Sequence, residues 1–80
     1  MKVPQPLREA DEQDVVVVRT YDAADGSEIV VDLGATGKEA AVDVLAGTAI
    51  VVVDDRQYEF ELPPEASDVS VNNGVLTIRD

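Results

Sequence analysis

The chain has 80 residues, enough for one small domain that buries roughly 60% of the surface its unfolded form exposes. Six Lys and Arg residues against 17 Asp and Glu residues give a formal net charge of −11, which disfavours binding to nucleic acids and to anionic membranes. The sequence contains no Cys and no His, which excludes disulfides, thiolate metal sites and imidazole catalysis.

The chain begins with a polar segment. Residues 1–14 contain Pro4 and Pro6 and show no sustained hydrophobic period, so the sequence predicts a mobile polar arm ahead of a domain over residues 15–80. The run LREADEQ favours at most a helical turn, because it has too few apolar anchors to fix a helix. The segment lacks the apolar centre of a signal peptide, and no run approaches the ~20 apolar residues that span a bilayer, so we expect a cytoplasmic protein.

Short β-branched runs between turn residues then predict strands. The runs are VVVVRT (15–20), EIVVDL (28–33), AVDVL (41–45), AIVVV (49–53), QYEFEL (57–62), DVSV (68–71) and VLTIR (75–79). Pro63 and Pro64 end the fifth run, because neither residue can donate to a strand ladder. The Asn73-Gly74 pair predicts a tight hairpin between the last two runs, since it tolerates the positive φ values of that turn.

The regular spacing predicts an all-β fold, an antiparallel seven-stranded β-sandwich of immunoglobulin-like type, with a small closed barrel as the alternative. In the fifth run, Tyr58, Phe60 and Leu62 share one face and are expected in the core. Residues 15–18 and 49–53 are apolar at odd and even positions alike, which is more than one face of a small sandwich can bury. Either the surplus apolar residues pack under the N-terminal arm, or they form an edge or groove that receives another chain's strand.

Two turns are candidates for ligand-binding sites. The run GATGK (34–38) is two residues short of a phosphate-binding loop, Glu39 replaces the hydroxyl residue, and a strand follows. The run DAADGSE (22–28) offers Asp22, Asp25 and Glu28, but without the spacing of a calcium-binding loop. No His or Cys is available to activate a Ser side chain. We therefore expect no enzyme activity, no metal and no cofactor.

Three segments carry recognisable motifs: VDLGATGKEAAVDV (31–44), YEFELP (58–63) and VSVNNGVLTI (69–78). They are similar to the L-P-G-x-x-K-E-D-I-x-V turn, the F-x-L-P strand and the A-x-x-x-N-G-V-L hairpin of one family. Over about residues 15–80 the chain thus resembles the α-crystallin domain of small heat-shock proteins. The matching residues are Leu33, Gly34, Lys38, Glu39, Val42, Val44, Phe60, Leu62, Pro63, Asn73, Gly74, Val75 and Leu76.

The chain also departs from the family pattern. The Pro of L-P-G is missing, and Val69 stands where the family has Ala. Only the run DDR separates Val53 from Gln57, which leaves no room for the strand that many members exchange to dimerise. No I-x-I tail follows the last strand. We therefore expect a monomer or small homo-oligomer without an exchanged strand, close in outline to the CS domains of co-chaperones.

The resemblance implies a chaperone that binds unfolding or partner polypeptides on an apolar groove without ATP. In the family the groove lies between the strand after the L-P-G turn and the strand before N-G-V-L, which here points to Val42, Val44, Val69 and Val71. The same valines could equally be core residues. The alternative function is a CS-like adaptor that docks one specific folded partner, and a third is a structural subunit.

The balance of acidic and basic residues carries one more prediction. Acidic residues are spread over the whole length, whereas Lys2 and Lys38 are the only lysines. Together with small apolar residues and few aromatics, this composition is typical of a protein from a salt-loving organism. The other reading is an ordinary acidic protein.

Overall fold

The computed structural model describes residues 1–34, 40–54 and 56–80. Within these residues the chain forms seven strands and one short helix. Their bounds are α1 Gln5–Glu12, β1 Val17–Ala23, β2 Gly26–Asp32, β3 Ala41–Leu45, β4 Thr48–Val53, β5 Arg56–Glu61, β6 Asp68–Asn72 and β7 Val75–Arg79. The prediction of an all-β chain with seven strands is confirmed. The turn predicted within DAADGSE (22–28) is shorter than expected, because Ala23 already pairs with Gly26 across the first hairpin.

The described strands form two antiparallel sheets. One sheet has the order β1-β2-β7-β6 and the other has the order β3-β4-β5. Two open sheets therefore take the place of the closed barrel that the sequence left as an alternative. The last hairpin has the predicted turn, since Asn73 and Gly74 adopt φ values of 52° and 77° and Asn72 pairs with Val75.

The period-two pattern turns one apolar face of each sheet toward a shared core. In the four-stranded sheet, Ile29 and Val31 lie opposite Ile78 and Leu76, and all four are buried. The three-stranded sheet contributes the buried side chains of Ala49, Val51, Val53 and Phe60 to the same cluster. Tyr58 and Leu62 pack against it from the predicted face. Alternation of apolar and polar residues thus decides which side of each sheet is buried.

The structure corrects the expectation that the N-terminal segment has too few apolar anchors for a helix. Gln5–Glu12 form α1, in which Leu7 and Ala10 are buried. The helix contacts β1 and β5 and so covers the opening between these edge strands of the two sheets. Two apolar side chains at i and i+3 are enough to anchor this helix, because most of a short helix's stability in a protein comes from tertiary packing.

Hydrogen bonds join α1 to β1 and to residues 15–16 just before it. The Val18 N–H donates to Asp11 Oδ1 at 3.2 Å, and the Val15 N–H donates to the Ala10 carbonyl at 2.9 Å. Pro6 is tolerated because the N–H groups of the first turn have no partner within the helix. Residues 5–12 therefore belong to the same packed body as the strands. In the described part of the chain, no helix has the length and apolar character needed to cross a membrane.

Candidate functional site

Two edge strands approach each other at the sheet edges opposite β1 and β5. β3 is an edge strand of the three-stranded sheet and β6 is an edge strand of the four-stranded sheet. They contact each other across the gap between the sheets. An edge strand presents unpaired backbone N–H and C=O groups that can pair with another chain. We call the space beside these strands the β3–β6 cleft.

The β3–β6 cleft has a volume of about 310 Å³. Its lining is mostly apolar and consists of Val44, Leu62, Ala66, Ser67, Asp68 and Val69. The Val44 side chain is 43% exposed, although its neighbour across the strand pair, Ala49, is fully buried. Val44 thus lies at the point where the core face of the three-stranded sheet meets solvent. An apolar side chain brought into the cleft would contact the edge of the core.

The four valines predicted for a groove divide into two pairs. Val44 and Val69 line the cleft. Val42 lies opposite the buried Val51, Val71 lies opposite the buried Leu76, and both valines are half-buried against the core. The structure therefore brings one valine of each edge strand to the cleft and packs the other two against the core. Their role in binding stays a prediction.

The segment between β5 and β6 supplies the lining residues that sequence reasoning did not assign to a groove. Its path is set by backbone hydrogen bonds: the Leu62 N–H donates to the Gly47 carbonyl at 2.9 Å, and the Ser67 N–H donates to the Arg79 carbonyl at 2.8 Å. A turn between them is closed by the Ala66 N–H and the Pro63 carbonyl at 3.0 Å. Pro63 and Pro64 predict the end of the strand and a turn, but no sequence pattern indicates that this turn borders a cleft.

Charges are sparse in the lining and lie at its rim. Asp68 accepts a contact of 3.5 Å from Arg79 Nη1, and Arg79 Nε lies 3.3 Å from Glu28 Oε2. All three side chains are well exposed, so water and salt screen these ion pairs and their contribution to stability is small. The cleft is therefore suited to apolar side chains and backbone groups, with a carboxylate at one end.

Several described residues of the three sequence motifs hold the fold together. The Leu33 N–H donates to the Gly74 carbonyl at 2.9 Å, which joins the first motif to the third. Arg56 Nη2 donates to the Leu33 carbonyl at 3.2 Å, and Gly34 takes a φ of 104°. Phe60, Pro63, Gly74 and Leu76 are buried, and Leu62 and Val75 are half-buried. Lys38 and Glu39 lie outside the described residues.

The remaining candidate sites gain no support from geometry. In DAADGSE, Ala24 and Asp25 form the tip of the β1–β2 hairpin, and Glu28 pairs with Arg79. Across residues 1–34, 40–54 and 56–80, no three His, Cys, Asp or Glu side chains gather as a metal site would require. Of GATGK, only Gly34 falls within the described residues.

The surplus apolar residues of the runs 15–18 and 49–53 are only partly buried. Val16 is buried beside α1, whereas Val17 is 49% exposed on the outer face of β1. On β4, Ala49, Val51 and Val53 point inward, and Val52 is 42% exposed on the opposite face. The N-terminal segment thus covers part of the surplus, and the rest lies on outer sheet faces.

Comparison with known proteins gives one match. The profile of a family of unknown function, DUF7127, matches residues 1–80. The chain belongs to this family. No curated protein and no solved structure matches the chain. The function must therefore be argued from the β3–β6 cleft and the residues around it.

Proposed function

We propose that the protein is a small heat-shock-protein-like chaperone module that binds unfolding or partner polypeptides in the β3–β6 cleft without ATP. One observation carries this proposal: two edge strands border an apolar cleft, and Val44 stands 43% exposed at its mouth. Apolar lining beside free backbone groups is what an extended polypeptide requires of a binding site. The cleft also lies between the two strands at which the resemblance predicts a groove.

The proposal treats the two sheets as one seven-stranded sandwich of the α-crystallin and CS type. The sheets share a buried core, which supports this arrangement. A further support is the Leu33–Gly74 hydrogen bond, since it ties together two of the three motifs on which the resemblance rests. In this architecture β3 begins within the first motif, and β6 leads into the Asn73-Gly74 turn.

Binding would proceed by addition of a strand. An extended segment laid along an edge strand pairs its backbone with the free N–H and C=O groups, and alternate side chains point into the cleft. There they would contact Val44, Leu62 and Val69. Burial of one aliphatic side chain contributes about 1.5–3 kcal/mol. Because the process needs only burial and hydrogen bonding, it uses no nucleotide and no bond is broken.

A CS-like adaptor is the second candidate function. It is favoured by the direct pairing of β4 with β5, in which Val53 lies opposite Arg56 and only two residues connect the strands. CS domains likewise lack an exchange strand at this connection. An adaptor would bind one folded partner and would leave unrelated unfolding proteins alone. Either function fits a monomer or small homo-oligomer in the cytoplasm of a halophile, for which the net charge of −11 is the supporting observation.

The deciding experiment measures aggregation of several unrelated heat-stressed clients in molar KCl, with and without the protein. We expect the wild type to slow aggregation and Val44→Asp to lose this activity, because the new carboxylate must be desolvated when a client docks. Val17→Asp is the matched control, since Val17 is 49% exposed on a different sheet face. Circular dichroism checks that both variants remain folded.

The outcomes separate the candidates. A wild type that protects none of the clients would remove the chaperone and leave the adaptor. Protection that Val44→Asp and Val17→Asp reduce equally would show that the β3–β6 cleft is not the binding site.

A further inference from the structure

The outer face of the three-stranded sheet, which points away from the core and the β3–β6 cleft, carries an apolar stripe. Leu45 is 73% exposed and Val52 is 42% exposed, and the half-buried Ile50 lies between them. Ile50 and Val52 are two residues apart on β4, so they project from the same face about 7 Å apart. We call this surface the outer β4 face.

Carboxylates flank the stripe on both sides. Asp43 on β3 and Glu59 on β5 both lie directly opposite Ile50, and Glu61 lies one row further along β5. Neighbouring strands are about 4.8 Å apart, so the backbones that carry Asp43 and Glu59 are separated by about 10 Å. That separation is close to the diameter of an α-helix with its side chains, about 10–12 Å.

Most basic residues of the described chain lie away from Ile50 and Val52. Lys2 and Arg8 lie in the N-terminal segment and line a pocket with Glu61 at the end of β5, and Arg19 and Arg79 lie on strands of the other sheet. Arg56 donates to Tyr58 Oη and to the Leu33 carbonyl at the inner side of its sheet. Within the described residues the outer β4 face is therefore apolar at Leu45, Ile50 and Val52, and it carries the carboxylates of Asp43 and Glu59 on its two flanks. A second copy of the same face would meet it with like charges.

We infer that the outer β4 face docks a basic amphipathic helix of a partner protein. The helix would lie along β4 with its apolar side chains on Ile50 and Val52. Lys or Arg side chains on its two flanks would then reach the carboxylates of Asp43, Glu59 and Glu61. An apolar ridge between two basic flanks is complementary to this face in both hydrophobicity and charge. The surface is distinct from the β3–β6 cleft, so the inference does not depend on the proposed function.

The test uses a synthetic lysine-rich amphipathic peptide of about four helical turns, with Leu at i, i+3, i+4 and i+7. Its binding to the full chain is followed by fluorescence anisotropy, and the contact surface is mapped by backbone amide chemical shifts. The control peptide has the same composition in an order that gives no apolar face. We expect the amphipathic peptide to bind more tightly and to shift amides of β3, β4 and β5.

Two variants with equal net charge test the location. The site variant combines Asp43→Asn, Glu59→Gln and Glu61→Gln. The control variant combines Glu12→Gln, Asp22→Asn and Asp25→Asn, which are exposed positions away from the face. Both change the net charge from −11 to −8, since each removes three negative charges. We expect the site variant to weaken peptide binding by about tenfold, and the control variant by no more than about twofold.

Two further variants test the apolar stripe and the independence of the two surfaces. Val52→Ser should weaken binding while thermal melting shows an intact fold, and Val44→Asp in the β3–β6 cleft should leave peptide binding unchanged. Equal weakening by the two triple variants would overturn the inference, as would equal binding of the two peptides. Sedimentation that reveals self-association, lost in the site variant, would show a second copy on this face and would also overturn it.

Discussion

Replacement of Leu7 by Ala tests whether α1 belongs to the folded core. The Leu7 side chain has an exposed fraction of 0% and contacts the cluster shared by both sheets. Leu→Ala changes at such sites cost 2–5 kcal/mol through lost burial and the cavity that remains. A short terminal helix can shift or open locally, which limits the loss, so we expect about 2–3 kcal/mol.

That loss is large for this chain. A domain of 80 residues is stabilised by about 0.05–0.15 kcal/mol per residue, which amounts to about 4–12 kcal/mol. Urea unfolding in molar KCl, followed by circular dichroism, should therefore show a clearly lower midpoint for Leu7→Ala. Arg8→Ala is the matched control, because Arg8 is exposed on the same helix. If both variants lose less than about 0.5 kcal/mol, residues 1–14 behave as a free arm and our account of α1 is refuted.

Other predictions follow from charge, turn geometry and the helix contact. The melting temperature should rise by many degrees between low and molar KCl. The Debye length falls from ~10 Å at 0.1 M to ~3 Å at 1 M, so salt screens the repulsion among the excess negative charges that give the net charge of −11. A melting temperature that stays flat or falls as KCl increases would contradict the halophile proposal. Gly74→Ala should destabilise by about 1–2 kcal/mol, since φ is 77°, whereas Asn73→Gly should be tolerated; equal urea midpoints would count against this. Asp11→Ala should cost about 1 kcal/mol, because the Val18 N–H loses its acceptor, and faster amide exchange at Val18 would report the loss.

The strands were predictable because their signals are local. Alternation of apolar and polar residues marks the buried face of β5, and the positive φ values of Asn73 and Gly74 follow from residue types at adjacent positions. α1 was missed for the opposite reason. Leu7 and Ala10 offer a short apolar stripe that becomes sufficient only when the opening between β1 and β5 is there to receive it.

The candidate site was predictable only through the resemblance. It pointed to four valines, of which Val44 and Val69 line the cleft. The period-two pattern alone predicts that all four valines point toward the core. It does not predict which of them lie at the edge of a sheet, because the edges depend on how strands distant in the sequence assemble. Leu62 and Asp68 reach the cleft through backbone hydrogen bonds between segments far apart in the chain, and a sequence pattern carries no signal for them.

The opening covered by α1 shows how little polypeptide is needed to close a gap between these two sheets. Leu7 and Ala10 supply the apolar contact, and Asp11 satisfies an edge N–H on β1. Because α1 is part of the same chain, it docks without loss of translational and rotational freedom. A separate polypeptide in the β3–β6 cleft must overcome a cost of about 4–15 kcal/mol for association.

This comparison sets an upper bound on affinity in the β3–β6 cleft. Two buried aliphatic side chains contribute about 3–6 kcal/mol, which leaves little net binding after the cost of association. We therefore expect a single extended peptide with alternating Val residues to bind with a Kd weaker than about 1 mM, measured by titration of backbone amide chemical shifts. Such weak binding suits reversible capture of many unfolding clients. A submicromolar Kd for one folded partner would exceed what the cleft can supply, would favour the adaptor, and would require a second contact surface such as the outer β4 face.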